Sequence, residues 1–203
     1  MKIFCIGRNY AKHAKELGND VPTEPIVFMK PSTALLKSPC DFYLPDFSDN
    51  VQHEVELVLK ISKNGKHIAE KFAHKYYDQI TVGIDITARD LQNKLKNQGS
   101  PWEISKGFDG SAPLGEFISL SHAGQLNEIP FSLTKNGQQV QVGSTRDLIF
   151  SFDVLISYIS RYFTLQQGDL IFTGTPEGVG KISVGDDLRA FIGERELLKC
   201  SVC

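Results

Sequence analysis

Short apolar runs set off by Gly, Pro, Asn and Asp make up most of the chain, a pattern that reads as strands joined by turns. Met1 to Ile6 is a short buried strand, Gly7-Arg8-Asn9-Tyr10 is the turn leaving it, and Ile26 to Met29 is a second strand. The clearest alternation lies in His53 to Ile61, with Val55, Leu57 and Leu59 on one face and Glu54, Glu56 and Val58 on the other. Asn64-Gly65 predicts a hairpin turn toward His67-Ile68, and Asn136-Gly137 a second one between Phe131 to Lys135 and Gln138 to Val142. Ile80 to Ile86, Asp169 to Phe172, Leu188 to Phe191 and Leu197 to Val202 complete the strands. The Pro-, Ser- and Asp-rich stretch up to Asn50 is expected to be extended and loop-heavy.

Four segments read as helices. Ala11 to Leu17 is stopped by Gly18-Asn19-Asp20; Phe72 to Gln79 and Thr87 to Asn97 follow, the latter ending near Gly99. Ser151 to Phe163 is the best defined, with Ser151 as its cap and an apolar stripe of Phe152, Leu155, Ile156, Ile159, Tyr162 and Phe163. Strands outnumber helices and come in hairpins, so the fold class is α+β and predominantly β. No repeat or linker divides residues 1–203, which read as one domain.

Composition narrows the partners. With 41% apolar and 23% charged residues, the 203-residue chain can bury a sizeable core. A net charge of -2, with Lys and Arg spread along the chain, gives no basic face for nucleic acid, so a small molecule is the expected partner. No apolar run has the ~18 residues of a membrane span, and the opening residues do not read as a secretory signal. Four cysteines are few for a disulfide framework, which points to a cytoplasmic setting; Cys200 and Cys203 end a strand and read as incidental thiols.

Glu54 and Glu56, two apart on a strand, project from one face. Like charges so close repel unless a cation lies between them, although a solvated edge strand would also tolerate them. Asp85 weighs against that alternative, because an acid flanked by Ile84 and Ile86 needs a metal or a hydrogen-bonding partner. Three carboxylates without a His or Cys cluster select a hard cation: Mg2+ first, Mn2+ close behind, Ca2+ less suited. His13 and Glu16 share a helix face, arranged either as a solvated surface or as a general base with its orienting carboxylate. Lys106, in a largely apolar setting, is either exposed or buried among anions. The run Gly174 to Gly180 lacks the features of a nucleotide loop, but Thr175 at its start could hold a substrate carboxylate.

In family order, the segments Gly-Arg-Asn-Tyr-Ala-Lys-His-Ala-Lys-Glu (7–16), Phe-Met-Lys-Pro-Ser (28–32) and His-Glu-Val-Glu-Leu (53–57) resemble the fumarylacetoacetate hydrolase superfamily. So do Asp-Ile-Thr-Ala-Arg-Asp-Leu-Gln (85–92), Pro-Trp (101–102), Lys-Gly-Phe-Asp (106–109) and Thr-Gly-Thr-Pro-Glu-Gly-Val-Gly (173–180). The likeness is to its short single-domain branch of acylpyruvases and oxaloacetate decarboxylases. It implies a mixed β-sandwich roll, usually dimeric, with Glu54, Glu56 and Asp85 as metal ligands. It further implies His13 and Glu16 as a dyad on a mobile lid helix within residues 1–20, and Lys106 beside the metal. Arg8, Lys30, Arg89, Gln92 and Thr175 match substrate-side positions.

The implied activity is metal-dependent hydrolysis of acylpyruvates or decarboxylation of oxaloacetate, each passing through a pyruvate enolate. Isomerisation of dienedioates or keto–enol tautomerisation would use the same site. A noncatalytic β-rich binding module is the alternative from another class.

Overall fold

The computed structural model describes residues 1–16 and 20–203, with the backbone alone at 13–15. Among these, the strands form three sheets. The largest runs in the order Ile26–Lys30, Ile3–Gly7, Leu170–Phe172, Val55–Ile61, Tyr77–Ile84, Ala112–Leu114 and Leu35–Lys37, with Ile118–Ser119 also pairing on Tyr77–Ile84. A second sheet orders Gln138–Ser144, Pro130–Lys135, Asp187–Ile192, Arg195–Val202 and Cys40–Phe42. A small third sheet joins Gly180–Lys181, Val51–His53 and Thr87–Ala88. The expected predominance of strands is borne out, and curled mixed sheets fit the β-sandwich roll.

Val55–Ile61 explains the layering. Val55, Leu57, Leu59 and Ile61 bury into the main core with Ile80, Val82 and Ile84, as the alternation predicts. Val58, on the opposite face, packs into a second cluster with Ile3, Cys5, Leu114 and Phe172. Glu54 and Glu56 share the Val58 face on a central strand, so the solvated-edge alternative is excluded. Gly83 pairs with Glu56. A Cβ at Gly83 would lie 2.6 Å from the Phe172 ring, so only glycine lets the Phe172 ring close over this strand pair.

Asn136 and Gly137 both take positive φ (53° and 78°), the conformation of the tight turn their sequence predicts. The Phe152–Tyr162 helix is capped by the Ser151 hydroxyl, which accepts from the Val154 N–H at 3.4 Å, a cap worth about 1 kcal/mol. Arg89–Gln98 ends at Gly99 in the left-handed conformation. The Ala11–Glu16 helix is present; Leu17, Gly18 and Asn19, which carry its predicted end, lie outside the described residues.

Several expectations are corrected. Asn64-Gly65 does not turn a hairpin: Gly65 bridges Leu165 instead, in a gap where a Cβ would meet Tyr76 at 2.4 Å. Phe72 to Gln79 is not one helix; a single turn over Glu70–Ala73 gives way to the Tyr77–Ile84 strand, whose cross-strand pairing outweighs the local propensity. Tyr162 and Phe163 are exposed and do not extend the buried stripe, although Phe163 keeps an edge against Phe4, with ring centroids 5.3 Å apart. The loop-heavy stretch before Asn50 holds two short strands, Leu35–Lys37 and Cys40–Phe42. Cys200 is buried beside Cys40 while Cys203 is exposed, so the terminal C-x-x-C does not act as a unit. Among the described residues, no helix is long and apolar enough to cross a membrane.

Asn9 ties three segments together. Its amide donates to Phe150 O (3.1 Å) and Thr173 O (2.8 Å) and accepts from the Phe150 N–H (2.7 Å). Its backbone carbonyl accepts from the Ile149 N–H at 2.9 Å. The root of the Ala11–Glu16 helix is thereby fixed to the loop that follows Leu170–Phe172.

Candidate active site

Three carboxylates converge where two sheets meet. Glu54 sits between the Val51–His53 and Val55–Ile61 strands, Glu56 lies one pleat further on, and Asp85 follows Tyr77–Ile84. The Asp85 N–H donates to Glu54 O at 2.8 Å, which locks the two segments in register. One oxygen from each acid lies within 4.8 Å of the others. Burial is nearly complete, with Glu54, Glu56 and Asp85 only 5%, 2% and 1% exposed.

Such a concentration of negative charge is tolerable because cations face it. Lys106, at the end of the short Glu103–Lys106 helix, bridges Glu54 Oε2 (2.8 Å) and Asp85 Oδ2 (2.7 Å). Burial works to lower its pKa, but Asp85 and Glu54 outweigh burial and hold the ammonium above the ordinary lysine value. Arg89 pairs with Glu54 and holds Gln52 (2.8 Å) and Gln92 (2.5 Å). Lys30 lies 2.8 Å from Asp85 Oδ1 and is also surrounded by the carbonyls of Ile86, Lys106 and Ser111 and the Ser111 hydroxyl. It does not line the cleft. The substrate-side expectation for Lys30 is therefore corrected to a cation locked behind Asp85.

Among the described residues, Glu56 pairs with no cation and accepts one hydrogen bond, from the Gly174 N–H at 2.7 Å. Burial, then the Asp85 charge, push its pKa well above the usual carboxylate range. Asp85 Oδ1 makes no hydrogen bond of good geometry despite its burial. Three buried carboxylates whose oxygens converge are the donor set of a site that fits a divalent cation. Glu54, Glu56 and Asp85 could hold one.

The cleft beside this cluster, about 400 Å³ including its open mouth, is also lined by Arg8, Phe28, Arg89, Gln92, Lys96, Trp102, Lys106 and Thr175. Five of the expected residues other than the acids, Arg8, Arg89, Gln92, Lys106 and Thr175, thus meet at one place. Glu16 lies elsewhere: it accepts from the Gly178 N–H at 3.2 Å and lines an adjoining outer recess with Gln52, Asn93 and Val179. The His13 side chain lies outside the described residues.

Sequence reading missed two supports. Gln141, buried in a strand that reads as exposed, accepts from the Val55 N–H (3.0 Å) and donates to Thr175 Oγ1 (2.9 Å) and Pro176 O (3.1 Å). Its carbonyl also meets His53 Nδ1 at 2.9 Å. Burial, which outweighs the Gln141 hydrogen bond, lowers the His53 pKa; because the Gln141 amide oxygen only accepts, Nδ1 is the donor. Lys96 was the second omission.

The family model described as fumarylacetoacetate (FAA) hydrolase C-terminal matches residues 2–202. The chain belongs to the fumarylacetoacetate hydrolase family. Among its relatives, an oxaloacetate tautomerase of Escherichia coli is 43% identical over 188 residues, covering 92% of this chain and 86% of the relative. A mitochondrial oxaloacetate decarboxylase of Dictyostelium discoideum is 42% identical over 192 residues, covering 94% and 88%. The solved fumarylpyruvate hydrolase of Pseudomonas aeruginosa, in complex with Mn2+ and pyruvate, superposes with a TM-score of 0.93 at 39% identity and covers 100% of this chain and 89% of that one. The fumarylacetoacetate hydrolase family members named here are enzymes.

Proposed function

We propose that this chain is a divalent-metal-dependent enzyme of small 2-oxo acids, hydrolysing acylpyruvates or decarboxylating oxaloacetate by way of a pyruvate enolate. The observation that carries the reading is the buried carboxylate triad, faced by Lys106 and opening on a cleft lined with further cations. Glu54, Glu56 and Asp85 would hold the ion, Mg2+ or Mn2+. Bound there, it supplies Lewis acidity toward a 2-oxo carboxylate. The Mn2+ and pyruvate of the Pseudomonas relative support the same pairing of cation and ligand.

The chain's own groups do the rest. Lys106 places a fixed ammonium where negative charge develops on the substrate oxygen, and burial makes it effective there. Arg89, held by Gln52, Gln92 and Glu54, and Thr175, held by Gln141, orient the substrate carboxylate. Lys30 positions Asp85. For hydrolysis, His13 takes a proton from the attacking water while Glu16 orients it, after the Ala11–Glu16 helix closes.

Keto–enol tautomerisation is a second reading, favoured by one observation. The Escherichia coli relative, 43% identical, is an oxaloacetate tautomerase, and enolisation would call on the inner residues alone. Leu35 and Phe117, partly exposed over the second core cluster, are apolar surface that a homodimer would bury. The deciding assay offers an acylpyruvate, oxaloacetate and a dienedioate to the protein with Mg2+ or Mn2+, and with chelator. Chelator-sensitive release of pyruvate from the first two supports the main reading. Turnover unaffected by chelator overturns it.

A further inference from the structure

Two of the cysteines meet across a strand pair away from the carboxylates. Cys40–Phe42, the edge strand of the second sheet, runs parallel to Arg195–Val202, and Cys40 is the register partner of Cys200. Cys40 and Phe42 share the inner face with Cys200 and Val202, while Cys203 falls with Lys199 and Ser201 on the outer one. Adjacent strands lie ~4.7–4.9 Å apart, inside the ~4.4–6.8 Å between Cα atoms that a disulfide spans. Hydrogen bonds fix the register on both sides of the pair. The Lys199 N–H donates to Ser38 Oγ at 2.9 Å before it, and the Cys203 N–H donates to Phe42 O at 2.8 Å after it.

The two thiols differ as an attacking and a resolving sulfur must. Cys40 is partly exposed at the sheet edge, whereas Cys200 is fully buried. A hydrogen bond from the Cys200 thiol lowers the Cys40 pKa, against burial and the Asp41 charge. The same hydrogen bond, then burial, push the Cys200 pKa up. Cys5 is sealed in the core, and burial, then the Asp85 charge, raise its pKa. An oxidant from solvent therefore reaches a reactive sulfur at Cys40 and finds a second one waiting beside it.

We propose that Cys40 and Cys200 are a modification site, a thiol pair that hydrogen peroxide converts reversibly to a disulfide latching the C-terminal strand to the sheet edge. The Cys40 thiolate attacks a peroxide oxygen; the O–O bond breaks, Cys40 becomes a sulfenic acid, and the departing hydroxide takes up a proton as water. The Cys200 sulfur then forms the S–S bond and displaces hydroxide from Cys40, its own proton leaving in the second water. Two thiols are oxidised and one peroxide is reduced to two waters. A small-molecule thiol reverses the bond by exchange. The bridge closes a loop spanning most of the chain, which constrains the unfolded ensemble and resists unfolding. Neither cysteine lines the cleft, so the latch does not depend on which substrate is turned over.

The test exposes the intact chain to hydrogen peroxide, blocks the remaining thiols and maps its peptides by mass spectrometry without reductant. A Cys40–Cys200 linked peptide pair should appear, and half of the four thiols should disappear. The thermal unfolding midpoint should rise by several degrees and return to its starting value in dithiothreitol. Cys40→Ser, at a partly exposed position that tolerates the change, should abolish both the linked pair and the rise. Cys200→Ala should do the same, whereas Cys203→Ser should keep both. Midpoints of the variants before oxidation report their folding. The proposal is overturned if all four thiols survive, if Cys40 links to Cys203 or to a second chain, or if Cys40 oxidises further while Cys200 stays free. It is equally overturned if the rise persists in Cys40→Ser.

Discussion

The inner cluster and the cleft wall use the same residue types to opposite ends. Around Asp85 and Glu54 each lysine and arginine is matched to a carboxylate at hydrogen-bonding distance, and the whole is buried. On the wall, Arg8 and Lys96 make no ion pair among the described residues. Matched charges hold a geometry ready before anything binds, while unmatched ones acquire their counterion from outside. The contrast separates cations that hold the carboxylates from cations left open to the cleft.

The largest effect should come from breaking the matched side. Asp85→Ala removes a carboxylate from between Lys30 and Lys106, leaving the buried Lys30 ammonium uncompensated and Lys106 with Glu54 alone. Calorimetry should register no uptake of Mn2+, turnover should be lost, and thermal unfolding should show a stability deficit of about 3–5 kcal/mol. Retained wild-type activity would sink the metal assignment.

His13→Ala comes next. Hydrolysis of an acylpyruvate should slow by roughly 10²–10⁴-fold while calorimetric metal affinity stays put, the range expected for removing a general base. A parallel loss of metal binding would place His13 in the inner cluster.

A smaller change should follow from Gln141→Leu, which releases Thr175 and His53 without touching a charge. KM should rise about tenfold with metal affinity intact, since roughly 1–3 kcal/mol rides on buried hydrogen bonds of this kind. If kcat falls and KM does not, Thr175 is not acting through substrate binding.

The mildest effect concerns pH. The raised Glu56 pKa means the folded, metal-free protein holds that proton more tightly than the unfolded chain. Its contribution to stability is full below the ordinary carboxylate value of 4.5 and is lost as pH rises through the folded value. Thermal unfolding in chelator should therefore show a downward trend with pH that Glu56→Gln flattens. Identical profiles for the two proteins would contradict it.

What the sequence made legible follows from how locally each signal is written. Glu54 and Glu56 share a face because strand geometry puts every second side chain there, and Asp85 betrays itself by its isoleucine neighbours. The Asn136-Gly137 turn is encoded in two residues. Gln141 was invisible because Gln-Gln-Val-Gln in a hairpin reads as a wet strand; its burial comes from the Thr175–Pro176 loop closing over it, a contact 34 residues away. Lys96 looked like any helical lysine until the cleft placed Trp102 and Arg8 beside it. Asn64-Gly65 carries the same dipeptide as the true hairpin yet serves close packing against Tyr76 and Ile68, so tertiary contact overrode the turn signal. The triad's partners, Lys30 and Lys106, needed the third dimension to be told apart: one is sealed behind Asp85, the other faces the cleft.

Asn9 sets a limit on how the Ala11–Glu16 helix can behave. Its side chain and carbonyl are clamped by Ile149, Phe150 and Thr173, and the next residue, Tyr10, bridges Leu148. The base of the helix is thereby anchored, so any movement of the helix is confined to rotation about this fixed end.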